Sequence, residues 1–166
     1  MPAAISDSTR KSASVPIHDL LEVLPHRGSM LLLEAIEWCG EEAIVARARV
    51  CADAWYADAG GAMPAWIGIE LMAQAIAAHV GLLAMREGGR ARPGVLLGTS
   101  SYRAHHAAFA AGAKLTVHAR ELLRGDAGHG AYECAIHLGE ACGAEAVLKV
   151  YQPEDFQTFI EGSLHS

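Results

Sequence analysis

The sequence contains no C-x-x-C pair, no excess of positive charge, no glycine-rich phosphate loop and no G-x-S-x-G elbow. Each absence removes a class of function. The four cysteines, Cys39, Cys51, Cys134 and Cys142, stand apart. In a chain long enough to build its own core they read as free thiols of a reducing cytoplasm rather than as a disulfide framework. Lys and Arg number 13 against 19 Asp and Glu, a net charge of −6, which speaks against a general nucleic-acid binder. An acidic partner would need a local basic patch. Without a P-loop or a nucleophile elbow, the common nucleotide-binding and serine-hydrolase signatures are missing. Met1 to Ser14 is polar and small and has no apolar h-region, so no secretory signal is read there and residues 1–14 are expected to form a loose tail. No internal repeat, low-complexity core segment or second domain is evident.

What is present suits one folded unit. Hydrophobic residues make up 52% and charged residues 19% of 166 residues, enough for a full core and too apolar for disorder. The expected organisation is a single domain over 15–156 and a short tail over 157–166. Met63 to Met85 is long enough to span a membrane. Glu70 near its middle is costly in lipid, and the flanks carry no positive bias, so a buried core helix is expected and no membrane span.

Patterning places the elements. Ile17 to Leu24 reads as a short helix or turn closed by Pro25, and Met30 to Trp38 as an apolar strand. Between Glu41 and Val50, residues Ile44, Ala46, Ala48 and Val50 alternate with Val45, Arg47 and Arg49, the signature of a half-buried strand. Cys51 to Ala62 is a loop. A long helix starts near Pro64, a favoured first-turn residue, and stops at Gly88-Gly89. Four strands follow, Val95 to Tyr102, Lys114 to Leu122, Ala131 to Leu138 and Ala144 to Tyr151, the last three joined by hairpin-like links. No βαβ alternation suggests a parallel sheet. The pattern is α+β, an antiparallel sheet wrapped around one long central helix.

One carboxylate sits inside that helix. A charged group on an apolar helix is expensive unless partnered, neutral or used, and such surroundings favour its protonated form. Gln74 lies one turn beyond Glu70, about 40° around the axis, placed either to hold Glu70 or to satisfy a nearby backbone group. His79 falls on the opposite side and, with His118, reads as an ordinary surface or interface residue. His105-His106 are adjacent, so their rings point apart on a strand, and no metal is expected. Arg103, Lys114, Arg120 and Arg124 offer either a patch for an acidic partner or the solvated face of strands.

Several strings together resemble a known family. Leu24-Pro25-His26-Arg27, Met30-Leu31-Leu32-Leu33, Met63-Pro64 leading to Glu70-Leu71-Met72-Ala73-Gln74, and Phe109 to Leu115 resemble the β-hydroxyacyl-acyl-carrier-protein dehydratases, over residues 17–152. Gly94-Val95-Leu96-Leu97-Gly98, Tyr132 to Ile136 and Tyr151-Gln152-Pro153 are similar to the dehydratase-like subgroup of aryl-polyene pigment synthesis. The resemblance implies the hotdog fold and a 3-hydroxyacyl thioester substrate carried on the phosphopantetheine of acyl carrier protein, with no other cofactor. It implies a dimer whose site takes a histidine base from one protomer and a helix carboxylic acid from the other. Glu70 stands at the acid's position. Met63, Ala65 and Trp66 stand around the helix start, where backbone N–H groups polarise the thioester carbonyl.

The chain departs from the family where the base belongs. The family histidine sits three residues before the Met-Pro pair, and here that residue is Gly60. Asp58 in the same loop is a candidate replacement base or a plain loop residue; His26 is a second candidate, although its position in the family is mainly structural. Trp66 places a bulky ring where the family often has a small side chain, with an altered or blocked tunnel as the expected result. Three readings stay open: a dehydratase with an unusual base, a half-site subunit paired with a histidine-bearing hotdog protein, and an acyl thioesterase using the helix carboxylate.

Overall fold

The computed structural model describes residues 19–165. The expected tail at 1–14, and the Ile17 end of the first helix, lie outside them. The chain opens with a one-turn helix α1 (Leu20–Val23), whose N-cap Asp19 accepts a hydrogen bond from Leu21 N–H at 2.8 Å. A 3₁₀ turn at Gly28–Met30 leads into β1 (Leu33–Cys39), and β2 (Ala43–Arg49) returns beside it. The apolar run expected as a strand from Met30 thus begins as a turn. Its first residues use their backbone groups on the central helix, as shown below.

The loop after β2 ends in a two-residue strand β3 (Met63–Pro64) and a 3₁₀ turn (Ala65–Ile67), from which α2 (Gly68–Arg86) continues. β4 (Val95–Ala104), the short β5 (Ala108–Phe109), β6 (Lys114–Arg124), β7 (His129–Leu138) and β8 (Ala141–Tyr151) follow. Six strands form one antiparallel sheet in the order β1-β2-β6-β7-β8-β4, and β3 pairs with β5 in a small second sheet. β1 and β4 are therefore the two edges.

The alternation read in the sequence sets the register. Ile44, Ala46 and Ala48 of β2, Leu115, Val117 and Ala119 of β6, and Tyr132, Cys134 and Ile136 of β7 all face inward and are buried. Their partner is α2, whose Leu71, Met72, Ala75, Ile76, Ala78 and Leu82 are buried against the sheet. Ala65–Arg86 is long and apolar enough to cross a membrane, and the sheet and α1 cover most of it instead. Close packing sets two small residues here. A Cβ at Gly68 would meet the Tyr102 hydroxyl at 2.6 Å, and one at Gly81 would meet Val23 Cγ1 at 2.9 Å.

Within the expected C-terminal tail, Phe156–Leu164 form helix α3, capped by Asp155, whose carboxylate accepts from Thr158 N–H at 3.1 Å. Those hydrogen bonds from Thr158 hold the Asp155 carboxyl below its ordinary range. No residue of α3 is buried; Phe159 meets Tyr151 edge to face at 5.3 Å.

Candidate active site

The site is built from α2 and from the segment between α1 and β1. Gln74 is fully buried. Its Oε1 accepts from the N–H of Leu32 at 3.0 Å and of Leu33 at 3.4 Å, and its Nε2 donates to Met30 O at 2.8 Å. These backbone partners fix which end of the amide is which. Nε2 then donates its second hydrogen to Glu70 Oε1 at 2.9 Å. Both functions foreseen for Gln74 are thus fulfilled at once: it satisfies the backbone before β1 and it holds Glu70.

His26 completes the group. Arg27 donates to the carbonyls of Leu21 and His26 at 2.8 Å each, and also to Leu24 O, so its guanidinium ties down the loop that carries the imidazole. His26 Nε2 lies 3.3 Å from Glu70 Oε1. The other ring nitrogen, Nδ1, is buried and has no hydrogen-bond partner among the described residues. Glu70 itself is 37% exposed in its side chain, so it stands at the boundary of the core rather than inside it, as the sequence pattern had suggested.

A cavity of about 500 Å³ is lined by His26 and Glu70, by Ala73, Ala77, Val80 and Ala84 along α2, and by Glu121, Arg124 and Tyr132. From Glu70 to Ala84 the helix rises about 21 Å at 1.5 Å per residue. Alanines at three of these positions leave width for a chain-like ligand. The cavity therefore has one acidic polar end, an apolar floor and a polar far end.

Tyr132, which lines the cavity, is backed by a histidine expected at the surface or an interface. His79 is fully buried, not at the surface. Its Nδ1 lies 2.8 Å from the Tyr132 hydroxyl and its Nε2 3.0 Å from Gly40 O. Tyr132 donates to Glu121 Oε2 at 3.1 Å, and Arg124 grips the same oxygen at 2.7 Å. Burial is the chief cause that pushes the His79 pKa below its ordinary value, and burial with Glu121 beside it pushes Tyr132 up. Only helical position, not residue type, hinted at this network, because an imidazole on a core face and one on a wet face look alike in sequence.

The remaining predicted site residues fall elsewhere. Asp58 Oδ1 accepts from Gly60 N–H at 2.8 Å and Ala62 N–H at 3.0 Å, so this carboxylate closes its own loop turn. Gly60 is exposed in that turn. Met63 is core, 2% exposed and paired with Phe109. Ala65 is buried and its N–H donates to Ala107 O at 3.0 Å, which removes it as a free donor. Trp66 is 65% exposed and does not line the cavity, so it does not block it. Three of the four candidate docking cations are engaged by glutamates: Arg103 with Glu145, Arg120 with Glu133 and Arg124 with Glu121. The solvated-face reading fits them better than a basic patch.

An antiparallel sheet wrapped around one long helix defines a hotdog-fold protein. The sequence matches the ApeP-like model, described as ApeP dehydratase, over residues 18–161, and the chain belongs to that family. Among solved structures it is similar to the dehydratase heterocomplex ApeI:P from Xenorhabdus doucetiae, with 27% identity, a TM-score of 0.80, and coverage of 86% of this chain and 95% of that one. It shares the fold with the PaaI protein of the E. coli phenylacetic acid degradation operon (16% identity, TM-score 0.57, 72% and 78% covered). The same holds for a hypothetical thioesterase with coenzyme A from Streptococcus pneumoniae TIGR4 (18% identity, TM-score 0.54, 74% and 88% covered). No curated protein sequence matches the chain.

Proposed function

We propose that this chain is the acid-bearing half of a cytoplasmic 3-hydroxyacyl-[acyl-carrier-protein] dehydratase, completed by a histidine-bearing hotdog partner. The observation that carries the proposal is the His26–Glu70–Gln74 group. His26 Nε2 faces Glu70 Oε1 at 3.3 Å, and Gln74 Nε2 donates to the same oxygen. The other ring nitrogen, Nδ1, is buried. In this reading His26 orients the acid and the base comes from the partner. Gly60 offers no imidazole, and Asp58 is engaged in its turn.

The reaction then divides between two chains. A histidine of the partner removes a proton from C2 of the thioester. The C3–O bond breaks as Glu70 delivers a proton to the leaving hydroxyl, giving water and the enoyl thioester. The mixed dimer holds one complete site. The second site, where this chain would offer the Gly60 loop, lacks a base. The relation to a dehydratase heterocomplex supports this pairing. The far end of the cavity accommodates the distal part of the acyl chain.

The test uses carrier-bound 3-hydroxyacyl substrate, with enoyl formation and free thiol followed in parallel. The chain alone is expected to give neither product, and the chain with its partner is expected to give enoyl thioester. Free thiol without enoyl product would assign thioesterase chemistry instead. Enoyl formation by the chain alone at the rate of the mixture would show that it carries its own base.

A further inference from the structure

Away from Glu70, the corner where β4 meets β8 gathers metal-ligating side chains from distant parts of the sequence. His105 directly follows β4, and its N–H donates to Gly143 O at 2.9 Å, which extends the ladder one step beyond the Ala104–Ala144 pair. Cys142 and Glu145 lie on β8. A ring nitrogen of His105, the Cys142 sulfur and a Glu145 oxygen all lie within 4.8 Å of one another. Glu145 is already oriented: Arg103 holds Oε1 at 3.5 Å, and Oε2 stands 4.0 Å from the Cys142 sulfur. His105 and Glu145 are exposed and Cys142 is half-buried, so an ion can reach them from solvent.

The donor set is selective. Magnesium and calcium take oxygen ligands, whereas thiolate, imidazole and carboxylate together suit a borderline-soft ion such as Zn²⁺. With metal–ligand bonds of about 2.0–2.3 Å, tetrahedral donors stand roughly 3.4–3.6 Å apart. Side-chain rotation of the exposed His105 and Glu145 can close the present spacing, while the ladder holds the three backbone positions. Arg103 is 74% exposed, so its repulsion of a cation is screened.

The geometry points to a Zn²⁺ site formed by His105, Cys142 and Glu145, with a fourth position left to water or an external ligand. It is independent of the function proposed above. Binding forms one bond each to sulfur, nitrogen and oxygen; the Cys142 thiol proton passes to buffer, and no redox change is involved. The bound ion fastens the end of β4 to the β7–β8 hairpin and removes Cys142 from thiol chemistry.

Co²⁺ titration of the full-length chain tests this, with Zn²⁺ as competitor. One equivalent of Co²⁺ is expected to give a thiolate-to-metal absorption band that Zn²⁺ bleaches. The band is lost in Cys142→Ser, and Zn²⁺ binds at least about tenfold more weakly in His105→Ala and in Glu145→Gln. His106→Ala retains it. In the unmodified chain, Zn²⁺ is expected to slow alkylation of Cys142, mapped by mass spectrometry, and to leave the exposed Cys51 unaffected. A band that survives in Cys142→Ser, wild-type affinity in both His105→Ala and Glu145→Gln, or alkylation of Cys142 unchanged by Zn²⁺ would overturn the site.

Discussion

Glu70 is defined by its two neighbours. Gln74 faces it because the backbone of Leu32, Leu33 and Met30 leaves the amide no other orientation. Gln74→Ala strips partners from three backbone groups, of which only Leu33 N–H lies in a buried contact; an unsatisfied buried group costs about 1–3 kcal/mol and a part-buried one less. A loss of roughly 2–4 kcal/mol in urea unfolding is expected, together with lower activity in the mixed complex. His79 gives a pH signature. Burial lowers its pKa in the folded state, so the unfolded chain binds the proton more readily. Its contribution to stability is therefore fully present above about pH 6.5 and is lost as pH falls below that value. Tyr132 and Gly40 O contact the ring directly, with Glu121 and Arg124 beyond. Unfolding free energies across pH 5–8 are expected to fall with acid in the wild type and to fall less in His79→Gln. Equal slopes would remove His79 as the source.

At the scale of elements, α2 was legible because its apolar run is long and its stops are plain, and the strands because β2, β6 and β7 alternate so regularly. The boundaries that shifted did so for long-range reasons. Met30 to Leu32 look like strand, yet their backbone groups serve Gln74, more than forty residues away. α3 was missed because none of its residues is buried and only a local aromatic contact attends it. Glu70 and Gln74 were readable from spacing on one helix. The part played by His26 was not, since only folding brings the loop after α1 to the helix, and the His105–Cys142–Glu145 group shares no local motif at all. β4 carries the prediction that belongs to this scale. It is an edge strand that exposes Leu96 and Leu97, an arrangement suited to pairing with another chain. Leu97→Glu is expected to weaken association with the hotdog partner by about tenfold or more, equivalent to about 1.4 kcal/mol, as read by analytical ultracentrifugation. The isolated chain should keep its stability.

At the scale of the whole molecule, the described residues form one six-stranded sheet around α2, with Glu70 lining the cavity beside it. Gln74 holds Glu70, α2 rises about 21 Å from Glu70 to Ala84 along the cavity, and in the proposed assembly the base comes from the partner. The most direct measurement is the rate of enoyl-thioester formation by the mixed complex carrying Glu70→Gln in this chain, with assembly verified in the same sample. The rate is predicted to fall by about 10²–10⁴-fold, the usual contribution of a positioned general acid, while the complex stays intact. An assembled complex that keeps its full rate without the Glu70 carboxylate would contradict the assignment of this chain as the acid-bearing half.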